Sequence, residues 1–376
     1  MPSISQFLTL TRLQEILAHF ADLRIGVIGD MGLDAYWSVD MTRSHLSRET
    51  PHFPRPVVAE RYAPGAGANV AQNLAAAGVG QVSVFTVVGS DPWAGLLYGE
   101  LKRLGIETGG MFSAPGRRTV TYIKPLLMGY ASQQEDARLD FENTLPLPAT
   151  AEDDLLRQLQ LALPQLDAVI VTDQLEEYGV ITERVRAWLN DLALRDPAKI
   201  FLVDSRARIG LYRGMWLKPN ALEAAAAILA GGAAPETDSD GLAAIGQALS
   251  RGSGRPVFIT RGEDGALVCD ASPLRCTLEV SASAVRAPVG QPQGGKATPI
   301  AAAPVSPPLD VVGAGDTFMA ALAAGLAAGA TPTEAAALAN LAAAVTVEKL
   351  NQTGTASPGE ILERYQGLDR SNPSET

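Results

Sequence analysis

The sequence predicts an α/β protein with a mostly parallel central sheet, helices on both of its faces, and a small β-sheet lid. Three observations carry this. Short β-rich runs alternate with helix-period segments over most of the 376 residues, the pattern of parallel strands joined by crossover helices. Two segments, residues 35–62 and 117–142, break that alternation with short β-prone pieces and no helical period. A hydrophobic fraction of 47% over this length can build a sizeable core.

Taken in order, SQFLTLTRLQEILAHF reads as an amphipathic helix within an N-terminal helical extension, residues 1–23. It has no basic stretch followed by an apolar core, so no signal peptide is expected. RIGVIGD (24–30) is a buried strand that delivers polar residues at its C-terminal end, and it opens the main domain, residues 24–356. ANVAQNLAAAG (68–78) reads as a helix, VSVFTVVG (82–89) as a strand, and DPWAGLLYGELKRLG (91–105) as a helix capped by Asp91. LDAVIVTD (166–173), KIFLVDS (199–205) and PVFITRG (256–262) continue the strands, with helices near 178–194 and from Ala221. AYWSV, PVVAERY and RTVTYIKPLLM in the two irregular segments are expected to form a separate antiparallel lid. Residues 287–308, rich in Pro, Gly and Ala, are expected to be a flexible insertion, and 357–376 a C-terminal tail.

A formal net charge of −11 and the lack of basic stripes argue against a nucleic-acid surface. No apolar run is long enough to span a membrane, so a soluble cytoplasmic protein is expected. The two cysteines, Cys269 and Cys276, lie across an expected hairpin and read as free thiols. His19, His45 and His52 are too scattered for a zinc set.

The chemistry concentrates in LDVVGAGDTFMAALAAG from Leu309. Gly313 and Gly315 leave backbone N–H groups unshielded, and the helix that follows adds free N–H groups and its positive dipole end, together an anion-binding nest. Asp316 in the first turn is placed to act as a general base beside that anion, a pairing suited to phosphoryl transfer. The competing reading is a glycine turn with Asp316 capping the helix. Asn220 and Glu223 in NALE can share one face near a hydrated magnesium ion, or form a capping box. Thr260, Gly262 and Gly265 in TRGEDG offer close backbone approach to a nucleotide, or a plain hairpin turn. Gly65, Gly67 and Asn69 open a helix as a platform for sugar hydroxyls, or as tight packing. Asp34 either accepts hydrogen bonds from neighbouring hydroxyls or is a solvated turn residue.

In combination, Gly65-Ala66-Gly67-Ala68-Asn69, NALE, TRGEDG and DVVGAGD, in this order over roughly residues 24–356, resemble the ribokinase-like (PfkB) family of carbohydrate kinases. The resemblance implies ATP-dependent phosphorylation of a sugar hydroxyl. It makes Asp316 the base and Gly313, Ala314 and Gly315 the anion hole. Asn220 and Glu223 would position magnesium and phosphate, with Glu223 reaching the metal through water. Thr260, Gly262, Gly265 and Asn340 would line the nucleotide site, and Asp34, Gly65, Gly67 and Asn69 would meet the sugar under the lid. Asp310 would lie beside a monovalent-cation site, K+ being the candidate. VIGDMGLDAYW and QQEDARLDFEN look most like the kinase domain of bacterial D-glycero-beta-D-manno-heptose-7-phosphate kinases, which phosphorylate an anomeric hydroxyl. A phosphorylated acceptor would draw on Arg43, Arg48, Arg55, Arg61, Lys124 and Arg138. The chain is expected to lack the nucleotidyltransferase domain sometimes fused to such kinases. A homodimer through the lid edge is a further expectation. A catalytically silent nucleotide- or sugar-binding relative, and a kinase for another sugar or a nucleoside, are the alternatives. A dinucleotide-binding oxidoreductase is excluded because GAGANV does not follow the first strand directly.

Overall fold

The computed structural model describes residues 3–228, 239–271, 295–350 and 353–368. Two sheets organise it. The chain enters the large one through β1 (Arg24–Gly29), then leaves at once for the smaller sheet as β2 (Met31–Asp40) and β3 (Val57–Ala66). It returns through α2 (Gly67–Ala76), which follows α1 (Leu10–Ala18), and then runs β4 (Gln81–Val88), α3 (Pro92–Arg103) and β5 (Glu107–Ser113). The smaller sheet is completed by β6 (Val120–Met128), β7 (Gln133–Glu135) and β8 (Leu139–Phe141). The body resumes with α4 (Ala149–Ala162), β9 (Ala168–Asp173), α5 (Glu183–Arg195), β10 (Ile200–Ser205), β11 (Trp216–Leu217) and α6 (Ala221–Ile228). It ends with α7 (Ser239–Ser253), β12 (Val257–Thr260), β13 (Ala266–Ala271), β14 (Gly295–Ile300), α8 (Ala314–Ala327), α9 (Pro332–Val347) and α10 (Pro358–Leu368).

The large sheet has the order β14-β13-β12-β11-β10-β9-β1-β4-β5, parallel except at β12–β13 and β13–β14. Its central strands read as unbroken apolar runs because helices cover both faces, and β9 is buried at every position. α8 and α9 are alanine-rich and buried almost all round. Small side chains let them approach so closely that a Cβ on Gly325 would lie 3.1 Å from Leu338. α9 starts from a capping box between Thr331 and Glu334, with Pro332 in its first turn.

Several expectations change. The lid is mixed rather than antiparallel: β2 pairs with β6 in parallel because a long body excursion separates them in sequence, while β3, β7 and β8 pair antiparallel. Within 287–308, residues 295–300 form β14, whose register against β13 supplies the hydrogen bonds that composition alone does not foretell. Residues 287–294 and Cys276 lie outside the described residues. Cys269 is buried in β13 and its thiol is pushed up to about 12 by that burial, an inert state. Of the expected tail, residues 358–368 form α10, which packs on the N-terminal extension; the Tyr365 hydroxyl donates to Leu8 O at 2.7 Å. Among the described residues no helix is long and apolar enough to cross a membrane.

The passage from body to lid is fixed at Asp30. Its buried carboxylate accepts the backbone N–H groups of Gln174, Leu175 and Val180 at 3.0, 2.9 and 2.6 Å. Its own carbonyl accepts the Gly67 N–H at 2.8 Å, where the chain comes back from the lid. Just before that return, Ala66 has φ 48° and ψ −134°, a region that suits glycine. Ala66→Gly is therefore expected to stabilise the fold by about 1 kcal/mol, strain relief exceeding the added chain entropy. A higher urea midpoint at unchanged slope checks this, and a lower midpoint would show that the strain is not there.

Candidate active site

The first turn of α2, through Asn69, the ends of β10 and β11, through Asp204 and Lys218, and the N-terminus of α8 meet around Asp316. Gly313 caps α8 in the left-handed conformation, φ 81°. A Cβ at this position would lie 2.9 Å from Thr353 Cγ2 and 3.0 Å from Asn69 Nδ2, so no larger residue fits without displacement. The Ala314 N–H is taken by Val311 O at 3.2 Å, whereas those of Gly313 and Gly315 make no hydrogen bond among the described residues. The expected three-residue anion hole thus has two open donors at the positive end of a 14-residue helix.

Asp316 projects from the first turn of that helix. Its Oδ2 accepts from Asn69 Nδ2 at 2.7 Å. Asn69 is held by Asn73, whose Nδ2 donates to Asn69 O at 2.9 Å and Oδ1 at 3.2 Å. The Thr317 hydroxyl lies 2.7 Å from Asn73 Oδ1, and the Thr346 hydroxyl donates to it at 3.0 Å. α2, α8 and α9 are therefore joined by one polar chain that ends on the carboxylate. Burial raises the Asp316 carboxyl to about 6; Asn69 and Lys218 oppose this, and the charge of Asp204 adds to it. At pH 7 Asp316 is mostly ionised and competent as a base.

Lys218, at the end of β11, is buried and pairs with Asp204 at the end of β10, 3.3 Å away. Burial alone would lower its ammonium; the carboxylates of Asp204, Glu223 and Asp316 outweigh burial and hold it above its ordinary value. A Cβ on Gly315 would lie 3.9 Å from Lys218 Nζ, which places the ammonium beside the open N–H groups. Neither Lys218 nor Asp204 was given a role from sequence, although Lys218 directly precedes the Pro-Asn of the NALE element.

Asn220 and Glu223 do form a reciprocal capping box: Asn220 N donates to Glu223 Oε2 and Glu223 N to Asn220 Oδ1, both at 2.8 Å. Burial, then the charge of Asp204, raises the Glu223 carboxyl. Thr260 is bridged to Asn220, its N–H bonded to Pro219 O at 3.0 Å. Gly262 has φ 58° and open space where a Cβ would stand, while a Cβ on Gly265 would lie 2.3 Å from Ile300 O at the β14 end. Asn340 donates from Nδ2 to Ile300 O at 3.2 Å and Ala301 O at 2.8 Å. Between these groups lies a cavity of about 490 Å³ walled by Ala302, Val305, Leu309, Val311, Phe318, Ala344 and Val347, with Gly315 at one end. Asp310 ties its loop to α9, donating N–H to Val347 O at 2.7 Å and accepting from Val312 N at 3.0 Å.

On the lid side, Asp34 is buried and pairs with Lys124 at 2.8 Å. Gly65 packs against it; a Cβ there would lie 2.9 Å from Asp34 Oδ1. Gly67 is a packing residue: its N–H is spent on Asp30 O, and a Cβ would meet Thr172 Oγ1 at 2.3 Å. The lid cations expected to await an anion are largely engaged. Arg55 pairs with Asp136, Arg61 stacks over Tyr36 at 3.9 Å and Arg138 pairs with Asp140 at 2.6 Å. Arg43 and Arg48 are exposed beyond the far end of β2, roughly 20 Å along the strand from Asp34.

The family described as pfkB family carbohydrate kinase matches residues 34–358. The chain belongs to the pfkB family of carbohydrate kinases. As a pfkB carbohydrate kinase it is a phosphotransferase with an alcohol group as acceptor. Among its relatives, the bifunctional protein HldE of Trichlorobacter lovleyi is 32% identical over 353 residues, covering 93% of this chain and 64% of that protein. HldE of Alkalilimnicola ehrlichii is 33% identical, covering 94% of this chain and 66% of that protein. The pfkB chain thus spans about two thirds of the length of these curated relatives. Its fold is ribokinase-like: phosphofructokinase-2 of Escherichia coli in complex with potassium superposes with a TM-score of 0.66 at 18% identity, covering 93% of this chain and 100% of the other. Ribokinase of Arabidopsis thaliana complexed with ribose and ATP gives 0.62 at 15% identity, covering 91% and 98%.

Proposed function

We propose that this pfkB kinase transfers the γ-phosphoryl group of ATP to a hydroxyl of a sugar phosphate, a heptose 7-phosphate accepting at its anomeric hydroxyl. The observation that carries the reaction is Asp316 held at 2.7 Å by Asn69 beside the open N–H groups of Gly313 and Gly315. The likeness to HldE proteins supports the acceptor. In this reading the Asp316 carboxylate takes the proton of the acceptor hydroxyl as that oxygen attacks the γ-phosphorus, and ADP leaves. The two N–H groups, the α8 dipole and Lys218 offset the charge on the group in transfer. The apolar cavity takes the nucleoside, with Gly262 allowing close backbone approach.

Among the described residues no cluster of three or more His, Cys, Asp or Glu could hold a metal ion alone. That fits a magnesium ion held chiefly by phosphate oxygens and water, with Glu223 and Asp204 beside it. Such an ion would neutralise phosphate charge. K+ is assigned to the loop ordered by Asp310. The exposed Val57 and Val58 on lid-edge β3 support a homodimer through the lid, which sedimentation at two concentrations checks.

The test is ADP production from ATP over sugars and their 6- and 7-phosphates, with Mg2+ or K+ omitted in turn. Signal with a heptose 7-phosphate is expected. Signal confined to another sugar would remove the acceptor assignment, and nucleotide binding without turnover on any acceptor would favour a silent relative. The raised Asp316 carboxyl gives a further expectation. Below about pH 6 the base is protonated, so kcat/KM should fall tenfold per pH unit there and level off above. Asn69→Ala removes a hydrogen bond that favours the ionised form, so its inflection should lie at higher pH. A pH–rate profile that is flat between 5 and 8 would contradict this.

A further inference from the structure

Tyr36 sits on β2, two residues beyond Asp34 and on the same face of the strand. Its register partners are Arg61 of β3 and Lys124 of β6. Both cations meet its ring, the Arg61 guanidinium carbon 3.9 Å and Lys124 Nζ 5.0 Å from the centroid. The ring is buried and held between the neighbouring strands, which fixes where its hydroxyl points. Lys124 Nζ donates to that hydroxyl oxygen at 3.4 Å while it also pairs with Asp34 at 2.8 Å. An ammonium only donates, which leaves the phenolic hydrogen for a second partner, Thr353 Oγ1, 3.4 Å away.

Thr353 belongs to the body, in the segment that joins α9 to α10. That segment is fixed in place: Lys349 Nζ donates to Thr355 O at 2.6 Å, and a Cβ on Gly354 would lie 3.0 Å from Thr346 O of α9. The methyl of Thr353 lies against Gly313, 2.9 Å from where a Cβ of that residue would stand. A cavity of about 840 Å³ opens beside the contact, with Arg61, Tyr62 and Ala63 of the lid on one side and Thr353, Gly354 and Thr355 on the other. Lid and body stand apart there, and the two hydroxyls bridge them. One path of contacts therefore runs from Asp34 through Lys124, Tyr36 and Thr353 to Gly313.

We infer that Tyr36 and Thr353 form a latch that sets the distance of the lid from the α8 cap and so positions the acceptor for attack. This rests on the sugar-kinase reading and adds two positioning residues to it. Both act through others, Tyr36 through Lys124 and Asp34, Thr353 through Gly313. The lid carries the group that meets the sugar, and the body carries the N–H groups that meet the phosphoryl in transfer. Transfer depends on the separation of the two, and a misplacement of about 1 Å can cost 10²-fold in rate. A single neutral contact of this length is weak enough to open, which entry of the acceptor requires.

The experiment is steady-state kinetics with ATP and a heptose 7-phosphate on wild type, Tyr36→Phe, Thr353→Val and the double variant. Each substitution removes one hydroxyl and keeps the shape of the side chain. Each single variant should lower kcat about fivefold, the scale of one neutral hydrogen bond, with the KM for ATP within about twofold of wild type. The double variant should fall no further than either single one, because the same contact is lost. A latch that fails to close also admits water, so ADP should exceed phosphorylated sugar in the variants and match it in wild type. Single variants that keep the wild-type kcat, or whose losses multiply in the double variant, would overturn the inference. So would a loss seen only as a higher KM for the acceptor, since Tyr36 would then serve acceptor binding alone. Amide hydrogen exchange across residues 311–317, read without substrates, should be faster in Tyr36→Phe. If the heptose 7-phosphate yields no ADP with wild type, the acceptor reading fails, and this exchange decides the latch by itself: rates equal to wild type would overturn it.

Discussion

Asp316→Asn is expected to lower kcat by about 10³-fold, the scale of a positioned general base, while leaving ATP-analogue affinity within about twofold. The amide keeps the size of the carboxylate but cannot take the acceptor's proton. The surrounding frame should persist, because Asn73, Thr317 and Thr346 hold Asn69 independently of Asp316. Removing a carboxyl that burial disfavours in its charged form should leave thermal stability equal or higher. Steady-state kinetics and a melting curve together separate the two effects. A variant that turns over at the wild-type rate would remove Asp316 from the chemistry.

Gly313→Ala is the second large effect. The added Cβ meets Thr353 and the Asn69 amide at 2.9 and 3.0 Å, on a backbone at φ 81° that alanine adopts at a cost of about 1 kcal/mol or more. The cap must move, and with it one open N–H group and the Asn69 contact that orients the base. A fall in kcat of about 10²-fold is expected, the scale of one lost oxyanion donor, with Tm lowered by only a few degrees. A loss confined to ATP affinity, with kcat intact, would assign the cap to nucleotide binding rather than to the transferred group.

The parts of this site legible in sequence are those written locally. Gly313, Gly315 and Asp316 lie within four residues, and the helix they open is plain from its composition. The Asn220–Glu223 pair was legible too, but both of its readings share the same three-residue spacing, and only coordinates show the reciprocal caps. The Asn69–Asp316 bond joins residues 247 apart, and the polar chain behind it uses asparagines and threonines that mid-helix positions do not advertise. The role of Lys218 depends on Asp204 from the neighbouring strand, a register fact. The partners of the lid arginines were hidden for a related reason: Asp136 follows β7 and Asp140 lies on β8, short strands whose pairing the sequence leaves open. β14 and α10 were missed because one follows a Gly- and Pro-rich run and the other buries its apolar face against the distant N-terminal extension.

The manner in which Asn340 is used has a consequence for which triphosphate the enzyme accepts. Both hydrogens of its amide are spent on the carbonyls of Ile300 and Ala301, and the walls around it are alanine, valine, leucine and phenylalanine. Such walls hold a purine by shape and dispersion, and the amide oxygen, which accepts no hydrogen bond among the described residues, is the one group of Asn340 left to meet its edge. That oxygen suits an amino group and opposes a carbonyl, so a base that exchanges one for the other is disfavoured. In the proposed role, GTP and ITP should therefore be weaker phosphoryl donors than ATP.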